Sequence, residues 1–206
     1  MIRKFGDFDS VKPLGEYEKL EKGGYVLVIK KVETVKDKNG NDMLRMCFDI
    51  AEGLQAGFFE RDWRNQDKPV EDRAWHGMYW LGIPLDDNSK NDNFTKRKFK
   101  SFTDSLEDSN DGYHFDWDEQ KFVGKQVGGL FYNVSRVYAG KEYVDTKLGA
   151  FTSVSKIHDQ KYTLPKDKGL TDDQEEEIEL YNSKSSTSSK EADTGSLSIT
   201  SEDLPF

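Results

Sequence analysis

The sequence predicts a mainly β (α+β) domain over residues 1–165, a five-stranded barrel with one intervening helix, followed by a disordered acidic tail over residues 166–206. Three observations point there. Two runs rich in strand-forming residues flank Asn39-Gly40, a pair that tolerates the positive φ angles of a tight hairpin turn. Of 26 aromatic residues only Tyr181 and Phe206 lie beyond residue 165, so the body holds the large apolar groups a core needs and the tail does not. The tail carries four lysines against eleven acids, a formal charge of −7, while the first 165 residues come to −2.

Taken in order, the first strand is expected over residues 25–35 and the second over 43–51. In the second, Leu44, Met46, Phe48 and Ile50 alternate with Arg45, Cys47 and Asp49, the period-two pattern of a sheet with one apolar face. GFFERDW, residues 57–63, reads as a third strand after the Gly53 break. From 64 to 93 the chain is polar and turn-rich apart from AWHGMYWLGIP. A helix is expected from about 94 to 108, with Asn93 as its N-cap and Phe99, Phe102 and Leu106 on one face. Two further strands, about 125–138 and 142–157, are joined by a hairpin at YAGKE around Gly140. Three strands, a helix and two strands match the order of the Greek-key barrel called the OB-fold. Beyond Pro165, Thr171 and Gln174 form a capping-box pattern that starts one or two helical turns. From 183 to 201, eleven of nineteen residues are Ser or Thr, the composition of a flexible linker.

Sequence-tolerant binding of single-stranded nucleic acid needs cations for phosphates and ring faces for bases, at about 1–3 kcal/mol per stacked base. Three stretches interleave the two. FFERDWRN offers Arg61, Trp63 and Arg64, RAWHGMYW offers Arg73, Trp75, His76, Tyr79 and Trp80, of which not all can face solvent, and SRVYAGKEY brings Arg136, Tyr138, Lys141 and Tyr143 to a hairpin. Arg45 lies on the mixed face of the second strand. Trp63 and Tyr138, each set between basic residues near a strand end, are the favoured stacking platforms. TKRKFK, with Lys96, Arg97 and Lys100, falls at the start of the expected helix, where the dipole prefers acids; helix stability leaves these cations unexplained, and phosphate contact or a solvated face would each account for them.

The chain ends in SEDLPF. A terminal Phe ring can enter an apolar pocket while its own carboxylate meets a basic rim, and neighbouring acids add long-range attraction. A polar linker followed by Glu202, Asp203, Leu204, Pro205 and Phe206 resembles the tail of bacterial single-stranded DNA-binding proteins, whose tip docks on replication and repair enzymes. Leu204 stands where Ile is common, and only two acids are adjacent, which implies weaker docking or a different partner set. The body, through YNVSRVYAGKEY and FKSFTDSLEDSNDGYHFDWDEQKFVGKQVGG, is similar to the single-stranded DNA-binding proteins of phages and mobile elements. That resemblance implies protection of single-stranded DNA during phage or mobile-element replication and recombination, with recruitment of partner proteins through residues 202–206.

No cofactor, metal site or catalytic signature is expected. His76, His114 and His158 are scattered, and no Cys-x-x-Cys, His-Glu-x-x-His or phosphate-binding Gly-Lys-Ser/Thr loop occurs. The acid clusters DWDE and LDDN, the raw material of a metal-dependent nuclease, read as turns. An acidic DNA mimic would carry its negative charge on an ordered surface rather than on a tether; a protein adaptor is the remaining rival. The lone Cys47, together with a start that lacks an apolar leader, gives the expectation of a cytoplasmic protein. The partners expected are single-stranded DNA and replication proteins, not a membrane, with self-association left open.

Overall fold

The computed structural model describes residues 3, 6, 18–87 and 89–188, the side chains of 184–188 excepted. Residues 202–206 therefore lie outside the described residues. The chain separates into two compact units, Met1–Tyr132 with Leu148–Pro165, and Asn133–Lys147 with Lys166–Phe206.

In the first unit the alternation read from the sequence becomes a hairpin. Strand β1 (Gly23–Lys36) pairs antiparallel with β2 (Asp42–Ile50), Glu33 standing opposite Arg45. The connecting loop is longer than two residues, and Asp37 organises it. Its Oδ1 accepts from the backbone N–H of Asn39 at 2.7 Å and of Asn41 at 2.9 Å, while Gly40 takes φ 85°. Those bonds hold the Asp37 carboxyl below its ordinary pKa, the Asn41 N–H contributing most.

A bulge between Ile29 and Lys31 bends β1. It pairs with β2 from Leu27 to Lys36 and with β4 (Gln126–Tyr138) through its first half, Gly23 to Val28. A bulge increases the local twist, and a five-stranded antiparallel sheet of order β3-β2-β1-β4-β5 results, with β3 (Met78–Gly82) and β5 (Lys141–Thr152) at its edges. The sheet curls enough for rings from the two edges to meet: Tyr79 of β3 and Phe151 of β5 lie 4.9 Å apart, edge to face. Leu27, Ile29, Val32, Leu44, Met46, Phe48 and Leu81 line the concave side. Helix α2 (Lys90–Glu107) covers it with Phe102 and Leu106, both fully buried, and Phe122 joins from a one-turn helix at Glu119–Phe122.

Four expectations need correction. GFFERDW is not a strand but helix α1 (Phe58–Arg64). The reason is tertiary: the buried Asp49 carboxylate on β2 accepts from the N–H groups of Phe59 at 2.9 Å and Glu60 at 3.2 Å, capping a helix start that has no local cap. The third strand is instead Met78–Gly82. Second, α2 begins before Asn93: Ser89 is the N-cap, its side chain accepting from Asp92 N–H at 3.0 Å. TKRKFK therefore occupies the middle of the helix, away from the end where the dipole acts, while Asp104 and Glu107 still stand in the last turn. Third, β5 stops at Thr152, and Val154–His158 forms the short helix α3. Ile157 of α3 and Tyr162 pack against Gly24, where an added Cβ would meet them at 2.6–2.8 Å.

The fourth correction concerns the second unit. Backbone bonds tie Lys168 to Asn133 and Ser135 at 2.9 and 2.8 Å, forming a parallel bridge beside the distal part of β4. Helix α4 (Asp172–Ser188) then runs well past the one or two turns expected. Half of the capping box is present, the Gln174 side chain accepting from Thr171 N–H at 3.0 Å. The turn at Ala139-Gly140 takes φ 49° and 70°, as a tight hairpin requires. The Tyr181 ring lies so close to Gly140 that a Cβ there would sit 2.1 Å from it.

Candidate nucleic-acid interface

Alternation along β2 and β3 sends Leu44, Met46 and Leu81 inward, so Arg45, Cys47, Met78 and Trp80 face out. Register then assembles two rows across three strands. Glu33, Arg45 and Trp80 form one; Lys31, Cys47 and Met78 form the other. Trp80 is 46% exposed, and the Arg45 guanidinium lies 5.7 Å from its ring centroid. Glu33 bonds to both Lys31 and Arg45, the Arg45 Nε bond being 3.1 Å. Those two partners, Lys31 first, lower the Glu33 carboxyl to about 2. Burial pushes the Cys47 thiol above its ordinary pKa, so it is not an activated nucleophile. What the face presents is a half-open indole with one guanidinium against its ring.

The other expected residues of this unit divide by what they already hold. Arg61 donates to the Ala56 carbonyl and lies 3.6 Å from Glu18, which pins the entry to α1. Arg64 pairs with Glu60 one turn back. Trp63 is half-buried, with the Arg73 guanidinium 5.5 Å from its centroid. Trp75 is bound into the fold: its Nε1 donates to the carbonyls of Phe48 and Gly77, both at 3.1 Å. On α2, Lys96 reaches Asp86 at 2.6 Å and Asp92 at 3.0 Å, and Lys100 reaches Asp104 at 2.8 Å. These carboxylates raise the pKa of each lysine, the Asp86 bond first for Lys96. Arg97 is exposed, with no acidic partner among the described residues. Beside it on the same helix the Lys98 ammonium lies 4.7 Å over the exposed Phe94 ring.

In the second unit the β4–β5 hairpin concentrates the same chemistry. Tyr138 is 67% exposed and Tyr143 41%, their rings 6.4 Å apart. Arg136 bonds to Asp145 at 2.6 Å and lies 5.1 Å over Tyr143. Lys141 is exposed at the turn, with no acidic partner among the described residues.

Pairing to a surface carboxylate does not disqualify an arginine from phosphate contact, because an exposed ion pair contributes only about 0–1 kcal/mol and is readily exchanged. Sequence reasoning passed over Phe94 and the exposed Trp117, and it named Trp80 among the rings of RAWHGMYW but favoured Trp75. For Trp80 a signal existed: in MYWLG, once Leu81 is inward, Trp80 must be outward.

No protein-family model and no curated protein matches this chain. Among the described residues, no helix is long and apolar enough to cross a membrane, and no group of three or more His, Cys, Asp or Glu side chains is placed to hold a metal ion.

Proposed function

We propose that this chain binds and protects single-stranded DNA without strong sequence preference, in the manner of phage and mobile-element single-stranded DNA-binding proteins. Under the same proposal, residues 202–206 recruit replication or recombination proteins. The observation that carries the reading is the register-aligned Arg45–Trp80 pair on the outward face of β2 and β3. An indole open on one side and a guanidinium beside it are the two elements that hold an unpaired base and its phosphate. Support comes from the architecture: a curled five-stranded sheet with a helix between its third and fourth strands fits an OB-fold, whose second and third strands and two hairpin loops contact oligonucleotides. The β4–β5 hairpin, with Arg136, Tyr138, Lys141 and Tyr143, is the second of those loops in this reading.

The test is a tryptophan-fluorescence titration of the full chain with oligo(dT), with duplex DNA and at raised salt. Single strands should quench emission saturably, with affinity falling linearly on a log–log salt plot by about 0.7 per phosphate contact. Trp80→Ala should lose most of the quenching. Equal binding of duplex, or quenching undiminished in Trp80→Ala, overturns the assignment of this face. Silence with every nucleic acid favours the adaptor or the mimic. Deleting Phe206 should abolish partner recruitment and leave strand binding intact.

A further inference from the structure

Behind α2 lies a cleft of about 790 Å³, within the range of small-ligand sites. Three rings wall one side of it. Phe99 and Trp117 are within 8° of parallel with centroids 6.5 Å apart; Phe115 lies 5.3 Å from Trp117 and 6.0 Å from Phe99. Trp117 is 81% exposed and adopts φ 70°, a left-handed backbone that a bulky residue avoids. The conformation persists because its surroundings over-determine it. Phe115 is anchored on buried Phe122, Asp116 pairs with Lys121, and the Asp118 side chain accepts from Gln120 N–H at 3.1 Å. A strained backbone that holds a ring out in water calls for a use beyond packing.

The charge on the rim says which use. Four acids and two lysines line the cleft, a formal charge of −2. Both lysines are paired, with Asp86, Asp92 and Asp104. Glu107 and Glu119 have no lysine or arginine partner among the described residues; the exposed His114 ring lies 3.7 Å from Glu107. Glu107 accepts from Phe115 N–H at 2.8 Å and Glu119 accepts from the Thr34 hydroxyl at 3.4 Å, which fixes both carboxylates beside the rings. Phosphates would be repelled here, whereas a cation gains twice, from the ring faces and from the carboxylates.

We propose that this cleft receives an arginine side chain from a basic segment of a partner protein, its guanidinium against Trp117 and Phe99 and its N–H groups directed to Glu107 and Glu119. A planar guanidinium fits near-parallel rings and a pair of acceptors better than a compact, strongly hydrated ammonium does. This site is separate from the outward face of β2 and β3, and it stands whether or not that face binds DNA.

The probe is a short acetylated glycine–arginine peptide, with citrulline and lysine counterparts, titrated into the full chain while the Trp117 indole N–H resonance is followed by NMR. That resonance is identified by its loss in Trp117→Phe. The arginine peptide should shift it saturably, the lysine peptide should bind more weakly, and citrulline should leave it in place. Trp117→Ala should weaken binding by about tenfold. Glu107→Gln with Glu119→Gln, which keeps both side-chain acceptors and removes the charge, should weaken binding with the fold unchanged by circular dichroism. Equal response to citrulline, no saturation at millimolar peptide, unaltered affinity in the double Gln variant, or displacement of the peptide by oligo(dT) at Trp117 would each overturn the proposal.

Discussion

Two parts of the first unit use the same residue types to opposite ends. Helix α1 and the loop after it carry Arg61, Trp63, Arg64 and Trp75; the outward face of β1, β2 and β3 carries Lys31, Arg45 and Trp80. In the first region the named side chains bond to the fold itself, although the Arg64 side chain stays 67% exposed. Arg61 holds a carbonyl, Arg64 holds a glutamate one turn back, and Trp75 donates to two carbonyls. In the second, Trp80 makes its contact with Arg45 and leaves nearly half its surface open. The lesson is that composition marks where cations and rings are dense, but the direction of each side chain decides whether they bind inward or outward.

The comparison breaks most visibly at Asp49. Its carboxylate accepts from Ile50, Phe59 and Glu60 N–H groups, and each buried donor left unpaired costs about 1–3 kcal/mol. Asp49→Ala should therefore destabilise the protein by roughly 3 kcal/mol or more in chemical denaturation, with loss of α1. A loss below about 1 kcal/mol would mean that α1 stands on its own propensity.

Next comes the contrast between the tryptophans. Trp80→Ala should weaken oligo(dT) binding roughly tenfold or more, as expected for one stacked base, with little change in melting temperature. Trp63→Ala should change affinity by less than about threefold, within ~0.6 kcal/mol. Reversal of that order would move the interface to α1. Trp75→Phe should do the complementary thing: a loss of about 1 kcal/mol of stability for the missing indole bond, with strand affinity intact.

The smallest effect is a titration. Hydrogen bonds from Lys31 and Arg45 place the folded-state carboxyl of Glu33 at about 2, below the ~4.3 of an unfolded glutamate. Its contribution is thus fully present above that unfolded value and fades as pH falls toward 2. The row itself should loosen, and Trp80 emission change, only as pH reaches about 2, where the folded carboxyl takes its proton; in Glu33→Gln the change should be absent. A transition of the same size in Glu33→Gln would assign it to other carboxylates.

Particular elements show why some of this was legible beforehand. The β1–β2 hairpin was, because period-two alternation and a turn pair are local signals; so was the tight turn at Ala139-Gly140, and so were Phe102 and Leu106 on one helix face. Helix α1 was not legible, because FFERDW carries β-prone aromatics and its cap comes from Asp49, eight or more residues upstream. The start of α2 was hidden by an Asn that resembles a cap when Ser89 serves. Among site residues, Arg45 was found from alternation alone. Trp80, named among the rings of RAWHGMYW, stood behind Trp75 because the third strand had been placed at residues 57–63; Trp117 was passed over because nothing local announces a left-handed tryptophan.

Sequence alone determined that residues 1–165 are rich enough in apolar and aromatic groups to fold, that β2 has one apolar face, and that the acids concentrate past residue 165. Those properties follow from composition and short-range periodicity, which act before any long-range contact forms. Tertiary structure decided which cations are neutralised, which rings face water, and that Phe99, Phe115 and Trp117 meet at one cleft. Some of these relations are local, as in Arg64 with Glu60, but Arg45 with Trp80, Lys96 with Asp86 and Phe99 with Trp117 are set by strand register and by how α2 lies on the sheet; the residues carry the chemistry, and packing gives it direction.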